Sequence, residues 1–177
     1  MSPSLDELQA AFLKLTAAST LPQVVGEAQP LPAEGSAAAV PPPPSSVQMT
    51  DAKAKGYHLD VTVAPDQVVA AAQIARQHGF GMDTITGVDW MAAGQMEIVY
   101  DFFHPASVLH LVVRTRVPRD KPELPTIQGV FPGANWHERE THEFFAIKFL
   151  GHPNLTPLLL PEDADYHPLR KDFAGAA

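Results

Sequence analysis

The chain has 177 residues, a formal net charge of -8 and no cysteine. That length suits one ordinary domain with a real core, and the acidic balance argues against general nucleic-acid binding or adhesion to an anionic membrane surface. Without cysteine there are no disulfides, thiolate zinc sites, Cys-ligated iron–sulfur clusters or Cys nucleophiles, which fits a reducing compartment.

The N-terminus, Met1-Ser2-Pro3-Ser4-Leu5-Asp6-Glu7, lacks the basic start and apolar run of a secretory signal. No stretch reaches the ~20 apolar residues that span a bilayer, so a cytoplasmic location is expected, with membrane contact only through partners. Ser4 and Glu7 have capping-box spacing, and Leu8, Phe12 and Leu15 follow at helical intervals, which predicts a short amphipathic helix over 4–18. This helix belongs to a segment 1–27 that docks on the domain or on a partner. Residues 28–55 are expected to be a linker, because Ala, Pro and Ser dominate and Pro41-Pro42-Pro43-Pro44 imposes polyproline II or disorder.

The folded domain is expected over 56–150. Tyr57 to Val63 reads as a strand, and Pro65-Asp66 opens a helix to about His78, closed by Gly79. Val68, Ala71, Ala72 and Ala75 share one face of that helix, small enough for close packing on a sheet. Met82 to Val88 is a further strand. Met96 to Phe103 alternates, with Met96, Ile98, Tyr100 and Phe102 on one side, and Val108 to Val117 sets Leu109, Leu111, Val113 and Val117 opposite His110, Arg114 and Arg116. With the turn at His104-Pro105-Ala106 these two make an antiparallel hairpin. The fold class is therefore α+β: a two-layer sandwich of a mainly antiparallel sheet with helices packed on it, plus an extended C-terminal tail.

Pro118 to Pro125 reads as a polar loop. A helix follows from about Trp136 to Phe145, with Asn135 as N-cap and Glu138 reaching back to it. The prolines at 153, 157, 161 and 168 leave residues 151–177 as a tail without regular structure. Leu155, Leu158, Leu159 and Leu160 within it cannot form a core alone, and a partner subunit is the natural surface for them.

Several constellations invite a chemical reading. His137-Glu138-Arg139-Glu140-Thr141-His142 resembles a zincin helix, but its histidines are five apart. Five residues turn the second imidazole about 140° from the first, so one helical face cannot chelate an ion with both. Glu162, Asp163 and Asp165 lack the glycine and distal glutamate of a calcium loop, and a solvated or Arg-paired acidic turn is expected. No glycine pattern cradles phosphate, and no serine sits on an elbow to join Asp89 and His110 in a triad. What stands out is Glu138-Arg139-Glu140 beside Trp136, Phe144, Phe145, Ile147 and Phe149. Aromatics mixed with an arginine fork suited to carboxylates are typical of an interface core.

These residues resemble a family. Glu138-Arg139-Glu140-x-x-Glu143-Phe144-Phe145-x-Ile147-x-Phe149-x-Gly151-His152-Pro153-Asn154-Leu155 is similar to the signature of the respiratory complex I 30-kDa subunit, the C subunit of NADH-quinone oxidoreductase. Leu158-Leu159-Leu160-Pro161-Glu162-Asp163 and His167-Pro168-Leu169-Arg170-Lys171-Asp172-Phe173 continue it, and Phe131 to Trp136 and Thr84 to Trp90 extend it upstream. The likeness covers about residues 57 to 173. It departs at His142, where an aromatic is usual, at Ala146, where glycine is usual, and at Ala164-Asp165-Tyr166, where a tryptophan-bearing turn is usual.

The resemblance implies an α+β subunit with no catalytic, cofactor-binding or metal site of its own, in the hydrophilic arm beside the 49-kDa protein. Its signature helix and tail would run along that neighbour. NADH, FMN, iron–sulfur clusters and quinone would belong to partner subunits. Equivalent subunits occur in group 4 membrane-bound hydrogenases, formate hydrogenlyases and F420-linked relatives of complex I. A stand-alone metal-dependent hydrolase using His137, Glu140 and His142 is the alternative from a different class.

Overall fold

A computed structural model describes residues 4–18 and 45–175. Helix α1 (Leu5–Ala17) starts on the expected capping box: Ser4 Oγ accepts from the Glu7 N–H at 3.1 Å, and the Glu7 carboxylate accepts from the Ser4 N–H at 3.4 Å. Its Leu8 and Phe12 are fully buried in the same core as the sheet. Buried Gln67 fastens the other end of the helix, donating to the Leu15 carbonyl at 2.8 Å. The docking surface for this helix is thus the domain itself.

The expected linker over 28–55 is corrected at its C-terminal end; its earlier part lies outside the described residues. Strand β1 (Ser46–Met49) and a single helical turn, α2 (Ala52–Lys55), occupy 46–55. The turn closes at Gly56 in the left-handed region, φ +85°. Strand β2 (Leu59–Thr62) follows, then a 3-10 turn at Pro65–Gln67 and helix α3 (Val68–Gln77). β3 (Gly81–Trp90), β4 (Gln95–His104) and β5 (Leu109–Pro118) form a meander.

The sheet order is β1-β2-β5-β4-β3, antiparallel except where β2 runs parallel to β5. Register explains the two faces. Ile85 pairs with Tyr100, Tyr100 with Val113 and Val113 with Val61, so these side chains line one face and are buried. Helices α1, α3 and α4 (Ala134–Phe145) cover that face. On the other face Arg114 pairs with Asp60 and Arg116 with Glu97, and each guanidinium also lies over a ring, Tyr57 and Trp90 respectively.

Two further expectations are corrected. The loop from Pro118 ends in a short strand, β6 (Glu123–Pro125), parallel to β7 (Lys148–Leu150). Helix α4 begins at Ala134 with Gly133 as N-cap, so Asn135 already lies in its first turn. Glu138 is unavailable for capping because it points into the core.

Candidate partner interface

Helix α4 is held to β3 by a close approach. A methyl group added at Gly87 would meet the Phe145 ring at 2.6 Å, so a side chain fits at this strand position only if the ring or the helix shifts. The helix stops at Ala146, which takes the left-handed conformation at φ +63°. The Ala146 N–H and His142 both serve that stop: the first donates to the His142 carbonyl, and His142 Nδ1 donates to the Ile147 carbonyl at 2.9 Å. Among the described residues no group of three or more His, Asp or Glu side chains is arranged to hold a metal ion.

The two glutamates of the signature that face inward have different partners. Glu138 is fully buried; one oxygen accepts from the Ile127 N–H at 2.8 Å and the other from the Thr126 hydroxyl. His152 Nε2 lies 3.8 Å away, also buried. Burial pushes the Glu138 carboxyl up to about 7, against the smaller opposing pull of the two hydrogen bonds. Burial likewise lowers the His152 imidazole below its ordinary range. Glu143 instead accepts from three successive backbone N–H groups of the tail: Leu158 at 2.7 Å, Leu159 at 3.0 Å and Leu160 at 3.1 Å.

The tail therefore folds back along α4. Arg139, expected to fork onto carboxylates, donates instead to the carbonyls of Thr156 at 2.8 Å and Pro157 at 2.7 Å. Its guanidinium also lies 5.5 Å from the centre of the Trp136 ring. Further along, His167 Nδ1 donates to the Glu143 carbonyl at 2.8 Å and the Leu169 N–H to the Phe144 carbonyl at 3.2 Å. The last attachment is at buried Asp89, whose carboxylate accepts from Arg119 at 2.8 and 2.9 Å and from the Lys171 N–H at 2.9 Å. Burial alone would raise Asp89; the Arg119 and Lys171 hydrogen bonds and the nearby arginine charges outweigh it and hold the carboxyl below the usual range. Arg119 also bonds Asp172 at 2.7 Å, and Arg170 approaches Asp172 at 3.6 Å.

The structure thus divides the signature residues. Glu138, Arg139, Glu143, His167, Lys171 and Asp172 are joined to one another or to the domain by the bonds above, and His152 is buried beside Glu138. Phe145 and Leu155 pack against the core, where Ile147 and Phe149 are fully buried. Gly151 takes φ +82° at the turn into the tail, and Phe144, Pro168 and Arg170 are half-buried. Trp136, Glu140, Pro153, Pro161, Glu162, Asp163 and Leu169 are exposed, Trp136 at 60%. Asp89 and Arg119 were missed as tail anchors by the sequence reading. Asp89 lies in the Thr84–Trp90 stretch that carried the resemblance, the one signal that could have pointed to it.

These features define a two-layer α+β protein whose signature helix and tail are bound into one surface by buried carboxylates. Residues 61–177 match the family described as respiratory-chain NADH dehydrogenase, 30 Kd subunit, and the chain belongs to that family. It is 37% identical over 120 residues to the NADH-quinone oxidoreductase C subunit of Roseiflexus sp. (strain RS-1), covering 64% of this chain and 68% of that one. It is 44% identical over 96 residues to the F(420)H(2) dehydrogenase C subunit of Methanosarcina mazei, covering 52% and 59%. Among solved structures it resembles a chain of the membrane-bound sulfane sulfur reductase, an archaeal respiratory membrane complex. That match has a TM-score of 0.65 and 29% identity, over 74% of this chain and 78% of the other. A trypsin-resistant fragment of Nqo5 matches with a TM-score of 0.50 and 28% identity, over 59% and 93%. No helix among the described residues is long and apolar enough to cross a membrane.

Proposed function

We propose that this chain is a non-catalytic subunit of the peripheral arm of an NADH:quinone oxidoreductase, and that it positions the 49-kDa protein near the quinone site. In this reading the chain binds no redox group. NADH, FMN, iron–sulfur clusters and quinone are held by neighbouring subunits, and the complex attaches the chain to the cytoplasmic side of the membrane.

The observation that carries the proposal is the outward display of large apolar side chains on a tail whose backbone is bound to α4. Leu159, Tyr166, Leu169 and Phe173 are exposed there, Leu159 at 65%. Large exposed apolar groups set in a polar surround mark contact sites.

A second reading places the chain in an F420-linked or other relative of complex I, favoured by the 44% identity to the Methanosarcina protein and the likeness to the sulfane sulfur reductase. Purification through a tag on this chain, with identification of the recovered subunits, tests both. A 49-kDa-type subunit together with an NADH-binding flavoprotein is the expected result. Recovery of an F420-binding or nickel–iron subunit supports the second reading, and recovery of the chain alone would overturn both.

A further inference from the structure

The tail leaves the domain beside a buried polar cluster in which two donors lack acceptors. Thr126 follows β6 and Gly151 follows β7, and the Thr126 N–H ties the two strand ends by donating to the Leu150 carbonyl at 3.0 Å. Glu138 of α4 bonds the first of these ends, with the Ile127 N–H on one oxygen and the Thr126 hydroxyl on the other. His152 Nε2 lies 3.8 Å from that second oxygen, and both side chains are fully buried. The Nδ1 of His152 accepts from the Asn154 N–H at 3.1 Å. In the neutral ring the proton therefore sits on Nε2, the nitrogen nearer Glu138. Nε2 has no hydrogen-bond partner, and neither has the buried Tyr100 hydroxyl of β4. Buried donors without acceptors are uncommon in native proteins and call for a role.

We propose that Glu138 and His152 form a proton-operated catch between α4 and the root of the tail: ionised Glu138 draws the Nε2–H of His152 into a hydrogen bond, and protonated Glu138 leaves it open. As an anion the carboxylate has two donors, few for a buried charge, and the imidazole proton is a third within reach. Closing about 1 Å of the 3.8 Å gap gives the length of a charge-assisted bond. As a neutral acid Glu138 has no charge to share, and the gap stands. His152 keeps its proton in both states; the proton that comes and goes is that of Glu138, and it passes to solvent. Burial raises the Glu138 carboxyl to about 7 and lowers His152, so in acid the pair is two neutral groups rather than an ion pair. Other groups on α4 and β4 bear on the pair. Arg139 and His142 disfavour a charged His152, the Asn135 carbonyl favours it, and the Tyr100 O–H is kept protonated by burial and by the Glu138 charge. The catch thus closes as pH rises through about 7 and opens as it falls.

The test is NMR of isotopically labelled histidine rings and glutamate carboxyls in the full chain, between about pH 5.5 and about pH 8.5. His152 should hold the Nε2–H tautomer throughout, and its Nε2 proton should move downfield with the same midpoint as the Glu138 carboxyl. In Glu138→Gln the tautomer should persist and the movement should vanish. The Asn154 amide, bonded to the same ring, should gain about threefold in protection from hydrogen exchange as the catch closes, the size of one modest hydrogen bond. That gain is measured against the β4 amides, after correction for the intrinsic rise of exchange with pH, and should be absent from the variant. A proton on Nδ1 would overturn the catch. So would a His152 midpoint that survives Glu138→Gln, since it would belong to the ring itself or to His142. Unchanged Asn154 protection in the wild type while Glu138 titrates would overturn it too. The coincidence of midpoints is read in the wild-type chain, so a variant that failed to fold would leave that comparison intact, and separate midpoints would be equally fatal.

Discussion

Glu138 and Glu143 lie on the same helix, both buried, and they are treated in opposite ways. Glu138 faces the core, where two donors meet it and burial is the dominant influence, so its carboxyl rises to about 7. Glu143 faces the returning tail, where three backbone N–H groups converge on it. The difference is one of supply. A carboxylate buried with too few donors to replace its water drifts toward the neutral acid, as Glu138 does. Helix α4 thus carries one glutamate that completes a core and another that organises a surface.

The largest effect that sharpens this contrast is the pH dependence of stability. Below about 4.5 Glu138 is protonated folded or unfolded. As pH rises the unfolded chain releases that proton first, and the folded chain holds it to about 7. The contribution from the neutral acid is therefore full below about 4.5 and lost by the time pH passes 7, a change on the order of 3 kcal/mol. Glu138→Gln keeps the shape and removes the titration. Denaturant unfolding at pH 5 and pH 8 should show wild type losing more stability than the variant. His152, lowered by burial, acts in the opposite sense, losing stability as pH falls, so the difference between the two proteins isolates Glu138. Equal slopes would assign the titration elsewhere.

Next comes Gly87→Ala, which drives a methyl group into the Phe145 ring and pushes α4, with both glutamates, off β3. Overpacking of this kind costs about 1–3 kcal/mol. Thermal unfolding should register it, and an unchanged midpoint would mean that α4 can shift without penalty. The smallest effect is a gain. Ala146 sits at φ +63°, a conformation glycine adopts without strain. Ala146→Gly should stabilise by about 1 kcal/mol, a rise of about 2–4 °C in midpoint, after the added flexibility of the unfolded chain is set against the relief.

How much of this was legible in the sequence depended on how far each residue's partner lies along the chain. The alternation of Met96 to Phe103 and of Leu109 to Val117 revealed the central hairpin because strand periodicity is local. Helix α1 was readable for the same reason, its cap being three residues from its partner. β1 was hidden because its four residues adjoin a proline-rich stretch and owe their pairing to β2. Asn135 and Glu138 had the spacing of a capping box, yet the Ile127 N–H, eleven residues upstream, claimed the carboxylate. The tail motif was recognisable as a pattern, but its direction was not. Asp89 and Lys171 meet across 82 residues, and Arg119 and Asp172 across 53. No local rule encodes such a meeting.

The parallel ladder between β2 and β5 also sets a timetable. Asp60 and Arg114, whose side chains bond diagonally across it, are separated by 54 positions, whereas β3, β4 and β5 follow one another through short turns. A nascent chain can assemble the meander as soon as β5 has emerged, but α1, β1 and β2 are synthesised first and have no sheet to join until then. Contacts of such long sequence separation form slowly, because the intervening chain must be closed before they reward it. Leu8, Phe12 and Val61, all fully buried in the finished protein, are therefore the apolar groups kept waiting longest, and the ones a chaperone would meet.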